Sequence, residues 1–133
     1  TQNVLKTISM IGDLAQGNDQ AFNMMSMNMM QILANGKASM QDIKQFGTWG
    51  VPMLKTLKEI GREGDMSFDA IYQAMTHLTS EGGKFYNSMG AGAKTLEGRM
   101  ASLQDSISQL KNSIGKTMLP VVQGWQRVFA TFL

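Results

Sequence analysis

Residues 95–115 read TLEGRMASLQDSISQLKNSIG, and their spacing decides the fold. Leu96, Met100, Leu103, Ile107, Leu110 and Ile114 follow one another at intervals of four, three, four, three and four. An α-helix returns to the same face about every 3.6 residues, so these side chains form one apolar seam. Gln, Ser, Asp and Lys occupy the rest of the circumference. The seam lasts about two and a half heptads, short of the three to four that mark a coiled coil.

The same period recurs on either side, and strand-type alternation is hard to find. Val4, Leu5, Ile8, Ile11 and Leu14 stripe a helix over about Asn3 to Leu14. Gly17-Asn18-Asp19 breaks it and supplies a cap for a second helix, Gln20 to Ala34, which stops at Asn35-Gly36. Ser39 caps a short element with Met40, Ile43 and Phe46 on one face, and Gly47 to Gly50 is a turn. Pro52 opens a helix striped by Leu54, Leu57 and Ile60 that ends at Gly61 or Gly64. Ser67 caps another, with Phe68, Ile71, Tyr72, Met75 and Leu78 facing inward, and Gly82-Gly83 interrupts it. Phe85 and Met89 belong to one further short turn or helix before Gly90-Ala91-Gly92. After the seam, Pro120 starts a last helix carrying Val121, Val122, Trp125, Val128, Phe129 and Phe132. The expected fold is all-α: six or seven short-to-medium helices joined by glycine-rich turns, as a compact or partly extended array.

Composition excludes several classes of function. The chain has 133 residues, 43% hydrophobic and 17% charged, which is too apolar for disorder and suits one domain or one fragment. Twelve Lys and Arg against ten Asp and Glu leave a net charge of +2, too small for a binder driven by phosphate neutralisation. With no cysteine there is no disulfide frame, thiol nucleophile or thiolate metal site. No run approaches the roughly 18 to 20 apolar residues of a membrane span, and no signal peptide is visible. The chain opens on Thr1 and closes on an apolar VFATFL tail, so a single helical fragment of a longer protein is expected.

The ionisable residues form no recognisable catalytic or metal set. His77, the single histidine, has Glu81 as its nearest acid in sequence, one helical turn on, and a surface hydrogen-bonded pair is the simpler reading. Glu59, Glu63, Asp65 and Asp69 concentrate acid around Gly61 to Ser67, but Lys55, Lys58 and Arg62 are interleaved. A solvated, mixed-charge helix end is expected rather than a hydrolase pair. HExxH, paired histidines and calcium loops are absent. Gly90-Ala91-Gly92-Ala93-Lys94 lacks phosphate-loop spacing and reads as a hinge. No enzyme activity and no cofactor are expected.

The thirteen methionines are the unusual feature. Met24, Met25, Met27, Met29 and Met30, with Phe22 and Ile32, cover well over half of one helix, whereas a surface helix needs an apolar arc of about 100° or somewhat more. Either this helix is buried centrally, or one side of it meets a partner, a use to which flexible methionine is suited. Met24, Met27 and Met30, with Trp125, Phe129 and Phe132 near the C-terminal end, are the candidate protein-contact residues.

Three stretches resemble the tape measure domain of tailed-bacteriophage (prophage) tail length tape measure proteins. Gly36 to Phe46 followed by Gly50-Val51-Pro52 is similar to the family's Gly-Lys turn, short helix and Gly-(Val/Ile)-Pro helix opening. Met66-Ser67-Phe68, Ala74-Met75 and Ser80 to Tyr86 resemble its helix ending in a Gly-Gly segment. Thr95 to Met100, continuing through Ser102 to Asp105, resembles its Thr-Leu-x-Gly entry to a long helix. The resemblance covers about residues 21–115, and 116–133 reads as the start of a following helix. Met24 to Met30 departs from the family's more Ala- and Leu-rich pattern.

The resemblance implies a structural tail protein whose length sets tail length and which scaffolds tube assembly. Its implied partners are tail assembly chaperones, tail tip or initiator proteins and tube proteins, in the virion and, during assembly, the host cytoplasm. The family has no catalytic residues in this region. A homo-oligomer is compatible, and no nucleic-acid specificity is expected. Two alternatives stand beside it. One is a membrane-active segment in which Trp125, Arg127, Phe129 and Phe132 lie at a bilayer during genome ejection. The other is a peptidoglycan hydrolase domain, for which the sequence lacks the base, acid and ligand set.

Overall fold

The computed structural model describes residues 2–89, 96–109 and 114–133, without the side chains of residues 2, 3 and 132. Among them are seven helices: α1 (Gln2–Ala15), α2 (Asp19–Asn35), α3 (Met40–Thr48), α4 (Met53–Glu59), α5 (Phe68–Thr79), α6 (Leu96–Gln109) and α7 (Leu119–Phe132). The described residues form no strand. The all-α expectation is met. Leu110 of the seam and the Gly90-to-Lys94 hinge lie outside the described residues, as does the Phe132 side chain.

Helix ends follow from local chemistry. Asn18 Oδ1 accepts from the Ala21 N–H at 3.1 Å, satisfying one of the free donors at the start of α2. At the other end Gly36 sits at φ +80°, the left-handed geometry that glycine adopts without a Cβ penalty, and its N–H donates to Ile32 O at 2.8 Å. Before α3, Ser39 Oγ accepts from the Asp42 N–H at 3.1 Å while Asp42 Oδ2 accepts from the Ser39 N–H at 2.9 Å. This reciprocal box lets Asp42 be buried at no net loss of hydrogen bonds. The loops before α3 and α5 are tied together, with the Ala38 N–H donating to Met66 O and the Phe68 N–H to Gly36 O. Lys37 and Ser67 thereby form an isolated antiparallel bridge.

Packing centres on α1 and α2. Helix α2 touches α1, α3, α6 and α7, while α1 also reaches α5, α6 and α7; α4 closes on α3 and α5. Between these neighbours α2 buries Ala21, Phe22, Met25, Met29, Met30 and Ile32. Of the two arrangements its wide apolar arc allows, central burial is the one adopted. Unbranched thioether side chains fill the irregular gaps between helices that cross at different angles.

Two faces differ from expectation. Leu54, placed in the inward stripe, is 50% exposed; Leu57 of that stripe is buried as expected, and Met53 and Thr56 are buried beside it. With only seven residues, α4 can turn only one narrow face toward α3 and α5, and the stripe at Met53, Thr56 and Leu57 takes it. Met40 is likewise 54% exposed at the first turn of α3, where Ile43 and Phe46 alone enter the core.

Helix α6 buries Met100, Leu103 and Ile107 as its seam predicts, and Leu96 and Ile114 are partly buried against the same core. It also buries Arg99, which the seam does not contain. The guanidinium lies 5.4 Å from the Phe22 ring centroid, and its Nη1 donates to Asp19 Oδ1 at 2.9 Å. Its Cδ approaches the backbone of Gly12, where a Cβ would stand 3.9 Å away.

Candidate docking groove

Helix α7 carries two stripes. Val122, Trp125 and Phe129, spaced three and four apart, are buried in the core. Val121, Gly124, Trp125, Val128 and Thr131 line the wall of an open groove, with Val4 of α1 and Leu33 of α2 opposite. This compartment, about 430 Å³, also takes in Arg127. A second compartment of about 380 Å³ shares Val4, Leu33 and Trp125 and adds Thr7, Phe68, Asp69 and Tyr72. Phe68 and Tyr72 are tilted against each other with centroids 6.0 Å apart, and Lys6 Nζ stands 5.8 Å from the centre of the Tyr72 ring. The groove is thus lined mainly by apolar side chains, with Arg127 in one compartment and Asp69 in the other.

Its polar groups are unevenly satisfied. At one end Asp69 Oδ2 accepts from Arg62 Nη1 at 3.0 Å and from Gln73 Nε2 at 3.3 Å. At the other, Arg127 folds back along α7 until Nη2 is 3.9 Å from where a Cβ on Gly124 would lie. Trp125, 3% exposed, has an indole N–H with no hydrogen-bond partner among the described residues. Leaving such a donor buried and unmade costs roughly 1–3 kcal/mol.

The candidate contact residues differ in exposure. Met24 is exposed, Met27 is partly buried against the core, and Met30, Trp125 and Phe129 are buried. The α2 methionines point mainly into the bundle because helices pack on several sides of α2. Of the five whose side chains are described, only Trp125 lines the groove, and the Phe132 side chain lies outside the described residues. Val4, Leu33, Phe68 and Tyr72 line it too, and sequence reasoning assigned all but Leu33 to core-facing stripes. Nothing in their local spacing shows that four helices leave these residues incompletely covered. Trp125 and Phe129, which a membrane-active α7 would set in a bilayer, are turned into the core. No helix among the described residues is long and apolar enough to cross a membrane.

The ionisable groups form surface pairs. His77 Nε2 lies 3.8 Å from Glu59 Oε2 of α4, not from Glu81, because α4 and α5 pack side by side. Both side chains are about half exposed. Arg62 organises the acidic turn, with Nε and Nη2 donating to Asp65 Oδ2 at 3.0 and 2.6 Å and Nη1 to Asp69 and the Gln73 side chain. Glu59 and Glu63, between which Arg62 lies in sequence, take no part in that cluster. Among the described residues no three His, Asp or Glu side chains come together to hold a metal ion.

Asp65 titrates abnormally. Hydrogen bonds from Ser67, the backbone N–H among them at 3.0 Å, hold its carboxylate down, and Arg62 adds to the effect; together they lower its pKa from 3.8 to about 2. A depressed carboxylate contributes stability that is present above pH 3.8 and lost as pH falls through about 2. Carbon-13 titration of Asp65 is therefore expected to show a midpoint near 2. Arg62→Gln is expected to raise it only part of the way to 3.8, since the Ser67 bonds come first. A wild-type midpoint near 3.8 refutes the assignment. Burial acts oppositely on Asp13, raising its pKa although its Oδ1 accepts from the Met89 N–H at 3.2 Å.

Compared with known protein families, curated proteins and solved structures, the chain matches none.

Proposed function

We propose that the chain is a non-catalytic interaction domain of a tailed-phage tape measure protein, docking tail assembly chaperones, tip or tube proteins through helical faces. The observation that carries this reading is the order of three motif stretches resembling that family across residues 21–115. The apolar groove along α7 supports it, because surface that four helices leave uncovered is the kind a partner covers. So does the absence of cysteine, since a chain without disulfides can unfold to pass through a narrow tube. Helices convert residue count into length at about 1.5 Å per residue, but only when laid end to end. Seven helices packed on one another suit a docking head better than the extended part of a ruler.

In-frame deletion of residues 21–115 from the parent gene tests this. The expected result is loss of assembled tails by electron microscopy, with the remaining protein no longer retained by the tail tip and chaperone proteins in pull-downs. Full-length tails at normal yield overturn the reading.

A further inference from the structure

We infer that the groove beside α7 receives an amphipathic helix of a protein partner, which lays an apolar edge on Val4, Leu33 and Trp125 and sets a carboxylate on Arg127. The inference rests on the interaction reading above and adds the shape and charge of what docks.

Shape comes from α7. Groove-lining positions run from Val121 to Thr131 at helical intervals, so one wall is nearly three turns long, about 15 Å at 1.5 Å per residue. Leu33, 38% exposed, projects from the opposite wall beside Val4. A trough between helices, apolar along its floor and open along its length, is the form in which amphipathic helices are bound.

Charge sets the direction. Among the described residues the Arg127 guanidinium has no carboxylate within salt-bridge distance, and it is held over Gly124 at the groove. At the far end the Asp69 carboxylate is already engaged by Arg62, and Lys6 covers Tyr72. Among the described residues the charges left without a carboxylate partner are thus cations, Arg127 lining the groove and Lys6 beside Tyr72, and the complementary group on the partner is an acid.

The test uses two synthetic amphipathic peptides of about 15 residues, long enough to hold a helix. Both carry leucine at an i, i+3, i+4, i+7 stripe; one carries glutamate beside it and the other lysine. Binding is followed by two-dimensional NMR of the full chain through the indole N–H of Trp125, separated from that of Trp49 by a Trp49→Phe background. The Glu peptide is expected to shift the Trp125 signal and to bind roughly fivefold to tenfold more tightly than the Lys peptide. Arg127→Glu, a surface change with circular dichroism as folding control, is expected to reverse that preference. Equal binding of the two peptides, an unmoved Trp125 signal, or a preference unaltered by Arg127→Glu overturns the inference. So does sedimentation showing the chain paired with itself through this groove, a pairing that Arg127→Glu dissolves. Peptide discrimination reports on the groove alone and the deletion phenotype on the tail role, so either can fail without the other.

Discussion

Asp19→Ala destabilises the protein more than Arg99→Met, although Arg99 is the buried member of the pair. Arg99 is fully buried and packs on Phe22, and its Nε and Nη2 have no hydrogen-bond partner among the described residues, whereas the Asp19 side chain is 42% exposed. Removing the carboxylate leaves a cation in the interior with its desolvation cost uncompensated. That costs about 3 kcal/mol, the low end for buried pairs because Asp19 stands at the rim. Loss of an acid from the first turn of α2 adds about 0.5 kcal/mol. Methionine at 99, in contrast, keeps an unbranched chain beside Phe22 and Gly12, and Asp19, 42% exposed, stays at the rim where water reaches it. Its expected change lies within about 1 kcal/mol of zero, on either side. Urea unfolding with linear extrapolation ranks the two variants. If Arg99→Met proves the more damaging, the ion pair is a net source of stability and the argument fails.

Met29→Ala is expected to cost about 2–5 kcal/mol, and Met24→Ala, five residues earlier on the same helix, less than about 0.5 kcal/mol. Met29 is fully buried and Met24 is 39% exposed. Truncating the first removes its transfer free energy and leaves a cavity that helices packed around α2 close only partly. Met29→Leu, which conserves volume, should cost under about 1.5 kcal/mol and separates lost packing from lost backbone order. Thermal and urea unfolding of the three variants provide the check. Comparable losses for Met24→Ala and Met29→Ala contradict the central position of α2.

Local chemistry alone was enough to place most helix ends. Asn18, Ser39 and Ser67 accept from main-chain donors within three residues of themselves, and Gly36 takes its left-handed turn because it lacks a Cβ, so each signal is complete in a short window. The apolar period of α6 is likewise a property of one segment, and Met100, Leu103 and Ile107 went where it pointed. Long-range packing decided the rest. Arg99 meets Asp19 across eighty positions, and His77 finds Glu59 instead of its sequence neighbour Glu81. Leu54 loses its inward place to Met53, and of the two arrangements open to the methionine helix the central one is taken. The groove follows the same rule: Val4, Leu33 and Trp125 carry ordinary helical spacing, and only the way α1, α2, α5 and α7 pack leaves a trough beside them. Periodicity states which side of a helix is apolar; what covers that side depends on residues distant in the chain, whose arrangement no local pattern contains.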